Sequence, residues 1–253
     1  MSIILYFVPH QDDELLTFGL DIIQSASGSD DCHIYLMTDG TKSAVKEMLK
    51  NRKMCLWHFG IHKYTLSDKE FSKARDKEFI KSCNILGIPF ENIHISHDRC
   101  MDGMLDENFC IQYMKTVISD FEINKGIEKK EIVVKTISPY GGSKQHHDHM
   151  ALGNAAVKLK RENYISKVIF FQEPYLVENL KKNHPDFLIK SIMADNYEKE
   201  LIDNVIREVY SKWNPKVGSF AIGFHSMKQT LKKYRKNPVS FEVINSNSEW
   251  SIL

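Results

Sequence analysis

Long apolar runs are missing from this 253-residue chain. No stretch approaches the ~18–20 residues that a membrane-spanning helix needs. The N-terminal apolar run is about seven residues long and follows no basic segment, which argues against a secretory leader. Cysteine is scarce: five residues, at 32, 55, 83, 100 and 110, with no C-x-x-C spacing. An odd number in a chain of this size excludes a disulfide framework and predicts reduced thiols and a cytoplasmic location. Neither sign of charge dominates, since 34 Lys and Arg face 33 Asp and Glu. Nothing electrostatic therefore points to nucleic acid. Seven prolines and 12 glycines leave no linker or low-complexity tract. No G-x-G-x-x-G or Walker loop follows any apparent strand, which disfavours nucleotide binding. With 42% apolar residues, intrinsic disorder is excluded.

What is present is an alternation of strands and helices. Ile3–Val8 is a continuous apolar run, as expected of a strand buried on both faces. Acidic residues at 12–14 and apolar residues to 23 mark a helix. Strands are expected at 32–38, 92–96, 131–137 and 167–171. Helices are expected at 42–60, 68–87, 107–124, 147–162 and 195–212. This order predicts an α/β, Rossmann-like fold, a mostly parallel sheet with helices on both faces. Residues 1–253 read as one domain, with a core over about 1–175 and a less regular extension over 176–253 covering one sheet edge.

Two polar clusters stand where strands end. Pro9-His10-Gln11-Asp12-Asp13-Glu14 follows the first strand, and Gln145-His146-His147-Asp148-His149 opens a later helix. Taken singly, the first could be helix capping and the second a solvated polar loop. In open α/β sheets, however, ligands bind at the carboxyl ends of strands. Catalytic zinc takes three protein ligands and leaves a fourth position open. Two His and one Asp satisfy that count.

These residues carry a resemblance to the PIG-L/LmbE-type N-deacetylases. That family's (A/S)-H-P-D-D-E motif is similar to P-H-Q-D-D-E at 9–14, and its H-P-D-H motif to H-H-D-H at 146–149. Arg75-x-x-Glu78 with Leu86-Gly87-Ile88, and Asp102-Gly103, add supporting matches. The likeness spans residues 3–175. It implies His10, Asp13 and His149 as ligands of zinc, with iron(II) the alternative. It implies Asp12 as general base, and His146 as oxyanion stabiliser or donor to the leaving amine, protonated and oriented by Asp148. Arg75 and Asp102 are the implied sugar-hydroxyl contacts. The implied activity is removal of acetyl from an N-acetylglucosamine-type sugar or glycoconjugate, with a small-molecule partner. The alternatives are an amidase for another N-acyl or sugar-thiol conjugate, and a silent sugar-binding module. A homo-oligomer is compatible with the sequence.

The chain departs from the pattern where Gln11 and His147 replace prolines, which makes His147 a rival to His146. Lys144, where some members carry tyrosine, reads as solvated. Residues 41–70 exceed a minimal link and are expected to shape the substrate pocket. Glu173-Pro174-Tyr175 closes the fifth strand within reach of the site. His225-Ser226 with Gln229 loosely resembles a C-terminal family segment. Cys83 and Cys100 lack a base partner, and His94 and His97 read as structural. The basic run Lys228, Lys232, Lys233, Arg235 and Lys236 reads as a solvated helix face.

Overall fold

The computed structural model describes residues 2–142 and 144–245. Residues 246–253 of the expected extension lie outside the described residues. The elements run β1 (Ile3–Val8), α1 (Asp13–Leu16), α2 (Gly19–Ser27), β2 (Asp31–Thr38), α3 (Val45–Lys50), β3 (Met54–Cys55), β4 (Gly60–Ile61), α4 (Asp68–Ile85), β5 (Ile93–Cys100), α5 (Glu107–Lys125) and β6 (Ile132–Ile137). There follow α6 (His147–Arg161), β7 (Lys167–Gln172), α7 (Val177–Asn183), β8 (Phe187–Met193), α8 (Asn196–Val205), β9 (Trp213–Asn214), β10 (Ser219–Phe220), α9 (Ile222–Lys236) and β11 (Val239–Asn245).

Every residue of β1 is buried, as its unbroken apolar sequence requires of a central strand. Its side chains alternate between two layers. Ile4, Tyr6 and Val8 join a core with α2, α4, α8 and α9, whereas Ile3, Leu5 and Phe7 pack with α5 and α6. The main sheet has the order β5-β2-β1-β6-β7-β11-β8. The first five strands are parallel. The fold is therefore the α/β, Rossmann-like one, a mostly parallel sheet between helical layers.

Three regions differ from the sequence reading. The helix expected from residue 12 to 23 breaks at Thr17-Phe18 into α1 and α2. The helix expected over 42–60 is confined to Val45–Lys50, and residues 54–61 form a ribbon of β3 and β4. Arg52 and Phe59 there have φ of 58° and 51°, values a helix does not admit. The C-terminal extension does not cover the sheet edge but lengthens it. β11 pairs antiparallel with both β7 and β8.

Candidate active site

Neighbouring strands β1 and β6 mark the point where the sheet reverses its order, with β2 and β5 on one side and β7 on the other. A crevice forms at such a point beyond the carboxyl ends of the strands. The chain leaves β1 through His10, Gln11 and Asp12 into α1. Asp12 sits at φ 118°, a strained backbone that must be held by its surroundings. Thr38 Oγ1 donates to the Pro9 carbonyl (2.8 Å), and the Asp12 N–H donates to Glu14 Oε2 (2.8 Å). The Arg75 guanidinium of α4 donates to the Gln11 carbonyl and lies 3.4 Å from Asp12 Oδ2. Opposite, His146 caps α6 through Nδ1, which accepts the Asp148 N–H at 3.2 Å. Two turns on from His146, Gly153 lets α6 press on the end of β6. A Cβ there would stand 2.7 Å from the Ile137 carbonyl oxygen.

The two segments meet in a triangle of donor atoms. His10 Nδ1 is 3.1 Å from His149 Nε2 and 3.3 Å from Asp13 Oδ2, and His149 Nε2 is 3.2 Å from Asp13 Oδ2. Tetrahedral zinc with bonds of ~2.0–2.1 Å spaces its nitrogen and oxygen donors ~3.3–3.4 Å apart. The far nitrogen of each ring faces a carboxylate. His10 Nε2 is 2.9 Å from Asp148 Oδ2, and His149 Nδ1 pairs with Glu173 at the end of β7. Asp148 is itself fixed by the N–H groups of Gly103 (2.8 Å) and Leu105 (3.1 Å). Carboxylates behind ligating imidazoles fix the tautomer that leaves the front nitrogen free to bind. His10, Asp13 and His149 together offer a three-residue metal-binding group. The set of two nitrogens and one oxygen fits zinc and iron(II) alike.

Electrostatics favour a cation at this triangle. Burial pulls His10 and His149 towards neutrality, yet the carboxylates outweigh it. Asp102, Asp13 and Asp148 raise His10 well above the usual imidazole range, and Asp13 and Glu173 raise His149 to about 9. Burial opposes ionisation of Asp13, but His149 and His10 hold it well below the usual range. Burial raises Asp12 to about 6, against the opposing pull of Arg75. Two imidazole nitrogens 3.1 Å apart cannot both carry a proton, so positive charge here must be shared between them.

A cavity of about 480 Å³ opens over the triangle. His10, Asp12, Asp13 and His149 line it with Arg75, Asp102, His146, Glu173, Tyr175, Lys42 and Met227. All eight site residues expected from sequence thus gather here, with Asp148 directly behind His10. Their contacts differ from expectation at two places. The Asp148 carboxylate is engaged by His10, and stands 3.8 Å from His146 Nδ1. Burial first, and then His10 and His149, lower His146, a direction that runs against the imidazolium expected from sequence. Asp102 Oδ1 lies 3.4 Å from His10 Nε2. His147 and Lys144 are exposed and do not line the cavity. Glu173 was legible only as a strand-end residue within reach. Its pairing with His149 needed the β6–β7 register, which sets both strand ends at one level.

Among the described residues no helix is long and apolar enough to cross a membrane. A comparison with curated proteins finds no match. Among solved structures, a deacetylase of the teicoplanin biosynthetic pathway (a triple mutant) is 16% identical, with a TM-score of 0.62 over 98% of this chain and 100% of that one. The N,N'-diacetylchitobiose deacetylase from Pyrococcus horikoshii is also 16% identical, with a TM-score of 0.62 over 96% of this chain and 84% of that one. GalB, the 4-carboxy-2-hydroxymuconate hydratase from Pseudomonas putida, is 12% identical, with a TM-score of 0.53 over 100% of both chains. At these identities the likeness is one of fold. The family described as GlcNAc-PI de-N-acetylase, PIG-L, matches residues 5–160. That span holds both polar clusters and the donor triangle they build, and the chain belongs to the PIG-L family.

Proposed function

We propose that this protein is a metal-dependent hydrolase that removes acetyl from an N-acetylglucosamine-type sugar or glycoconjugate, releasing acetate and a free amine. One observation carries the reading. Three donors from two distant segments form a triangle with edges of 3.1–3.3 Å, each imidazole backed by a carboxylate, on the floor of an open cavity. Fold alone would not carry it, because a similar structure is a hydratase. Family membership and the two similar structures named as deacetylases support it.

His10, Asp13 and His149 would hold the ion. When bound, a divalent cation supplies Lewis acidity that polarises an amide carbonyl and acidifies water. Zinc is the proposed ion, with iron(II) the alternative for the same donors. The remaining steps belong to side chains. Asp12 stands beside the triangle without belonging to it, with its carboxylate raised to about 6 by burial. It takes the proton of the attacking water as general base. Arg75 keeps the Asp12 turn in its strained geometry. His146 Nδ1 accepts the Asp148 N–H, so the neutral ring carries its proton on Nε2. That N–H stabilises the oxyanion of the tetrahedral intermediate, and Asp12 passes the proton it took from water to the amine nitrogen as the C–N bond breaks, leaving acetate and the amino sugar. Asp102 and Arg75, on the cavity wall, contact sugar hydroxyls.

The test is a panel of N-acetylated sugars and glycoconjugates incubated with metal-loaded protein and read by mass spectrometry. Acetate and amine should appear one for one. No release from any member would overturn the reading in favour of a sugar-binding module.

A further inference from the structure

A second cluster of ligating side chains lies away from the active-site triangle. Cys55, His58, His62 and His225 each offer a ligand atom, and these atoms all lie within 4.8 Å of one another. Cys55 ends β3, His58 sits in the turn before β4, and His62 follows β4. His225 comes from the first turn of α9.

Within the segment carrying the first three, Trp57 packs on Phe224 of α9, with ring centroids 4.2 Å apart, and little else holds it. Two strands of two residues each are too short to hold themselves together. Met54, Leu56, Phe59 and Ile61 point their apolar side chains into solvent, so burial on that side supplies little. Arg52 and Phe59 also sit at positive φ. Yet the inner side converges. His58 Nε2 is 3.0 Å from His62 Nε2, and the three imidazole centroids lie 4.9–5.5 Å apart. His225 Nε2 is buried with no hydrogen-bond partner. Trp213 stacks on His58 at 3.6 Å and 8°, closing one side. Burial lowers all three imidazoles, His225 to about 4. Neutral imidazole is the form a metal takes.

We propose that Cys55, His58, His62 and His225 form a structural zinc site that ties the β3–β4 ribbon to α9. One thiolate and three imidazoles complete a closed tetrahedral shell of the kind structural zinc adopts. Cys55 binds as thiolate, and its proton passes to solvent. The spacing C-x2-H-x3-H supplies three ligands locally, and the fold supplies the fourth. Both attachments lead into the active-site cavity. Lys42, Ser43 and Ala44 lie upstream of the ribbon through α3, and Ser226 and Met227 follow His225, and all five line that cavity. The site therefore sets the shape of the substrate wall, and does so whichever substrate the cavity takes.

Cobalt(II) reports on this site separately from the active-site triangle, because that triangle contains no sulfur. Protein stripped with chelator and loaded with cobalt(II) should show a thiolate-to-cobalt charge-transfer absorption and intense tetrahedral d–d bands. The absorption should persist in His149→Ala and vanish in Cys55→Ala. By mass spectrometry under native conditions, zinc-loaded wild-type protein should hold about two ions per chain and the double variant C55A/H225A about one. A wild-type cobalt spectrum without the thiolate band would overturn the proposal. His58 and His62 would then share an ordinary hydrogen bond, with His58 Nδ1 accepting from the Gly60 N–H at 3.1 Å. The wild-type spectrum decides even where a variant fails to fold.

Discussion

Nδ1 of His10 lies 3.1 Å from Nε2 of His149, although 139 residues separate them in the chain. Two such nitrogens either share one proton or face a common cation, and Asp13 Oδ2 completes the third side of the space. Each ring is steered into place by a carboxylate, Asp148 behind His10 and Glu173 behind His149. The proposed chemistry follows from this arrangement.

Removing either steering carboxylate should loosen the ion while leaving its ligands in place. Asp148→Asn and Glu173→Gln are each expected to weaken metal affinity about 10–100-fold. Competition with a coloured chelator measures this. Unchanged affinity in both variants would show that the rings are positioned by packing alone.

Asp12→Asn separates proton transfer from metal binding. Turnover should fall about 10²–10⁴-fold, the usual worth of a general base, with metal content as in the wild type. Loss of metal instead would mean that Asp12 and Asp13 have exchanged roles.

His146→Ala should lower kcat about 10²–10³-fold, the effect of losing one oxyanion donor, with little change in KM. Full activity would assign that donor elsewhere on the cavity wall. His147→Ala, at an exposed position outside the cavity, should be close to wild type.

Glu78 gives a pH dependence of stability. Its carboxylate accepts the N–H groups of Ile222 (2.8 Å) and Gly223 (2.9 Å) at the start of α9, and burial raises it to about 7. The folded form thus binds a proton more tightly than the unfolded chain does. This contribution to stability is fully present below about pH 4.5 and is lost as pH rises through about 7. Urea unfolding between pH 5 and 8 should show a flatter slope for Glu78→Gln than for wild type, a difference on the order of 1–3 kcal/mol across the window. Identical slopes would contradict it.

Much of this was legible in the sequence, for local reasons. β1 reads from its unbroken apolar run and is buried along its whole length. The clusters at 9–14 and 145–149 read because chemistry concentrates at strand ends. What escaped depends on partners distant in the chain. In β8 no residue is fully buried, and its pairing with β11 is fixed across 46 or more residues. The periodicity of 42–60 resembles a helix, yet the ribbon of 54–61 faces Trp213 and His225 from the far end of the chain through His58. Asp148 sits between two histidines in sequence, but the histidine it holds is His10, brought by the fold from the other strand end.

The proposed amide hydrolysis requires a cation held by His10, Asp13 and His149. The most direct measurement is the rate of acetate release from an N-acetylated sugar by one preparation, first stripped of metal and then reloaded, beside His149→Ala treated alike. Stripped protein should release none, reloading should restore release by the wild type, and the reloaded variant should release none. Equal release by stripped and reloaded wild type, or full activity of the variant, would contradict that requirement.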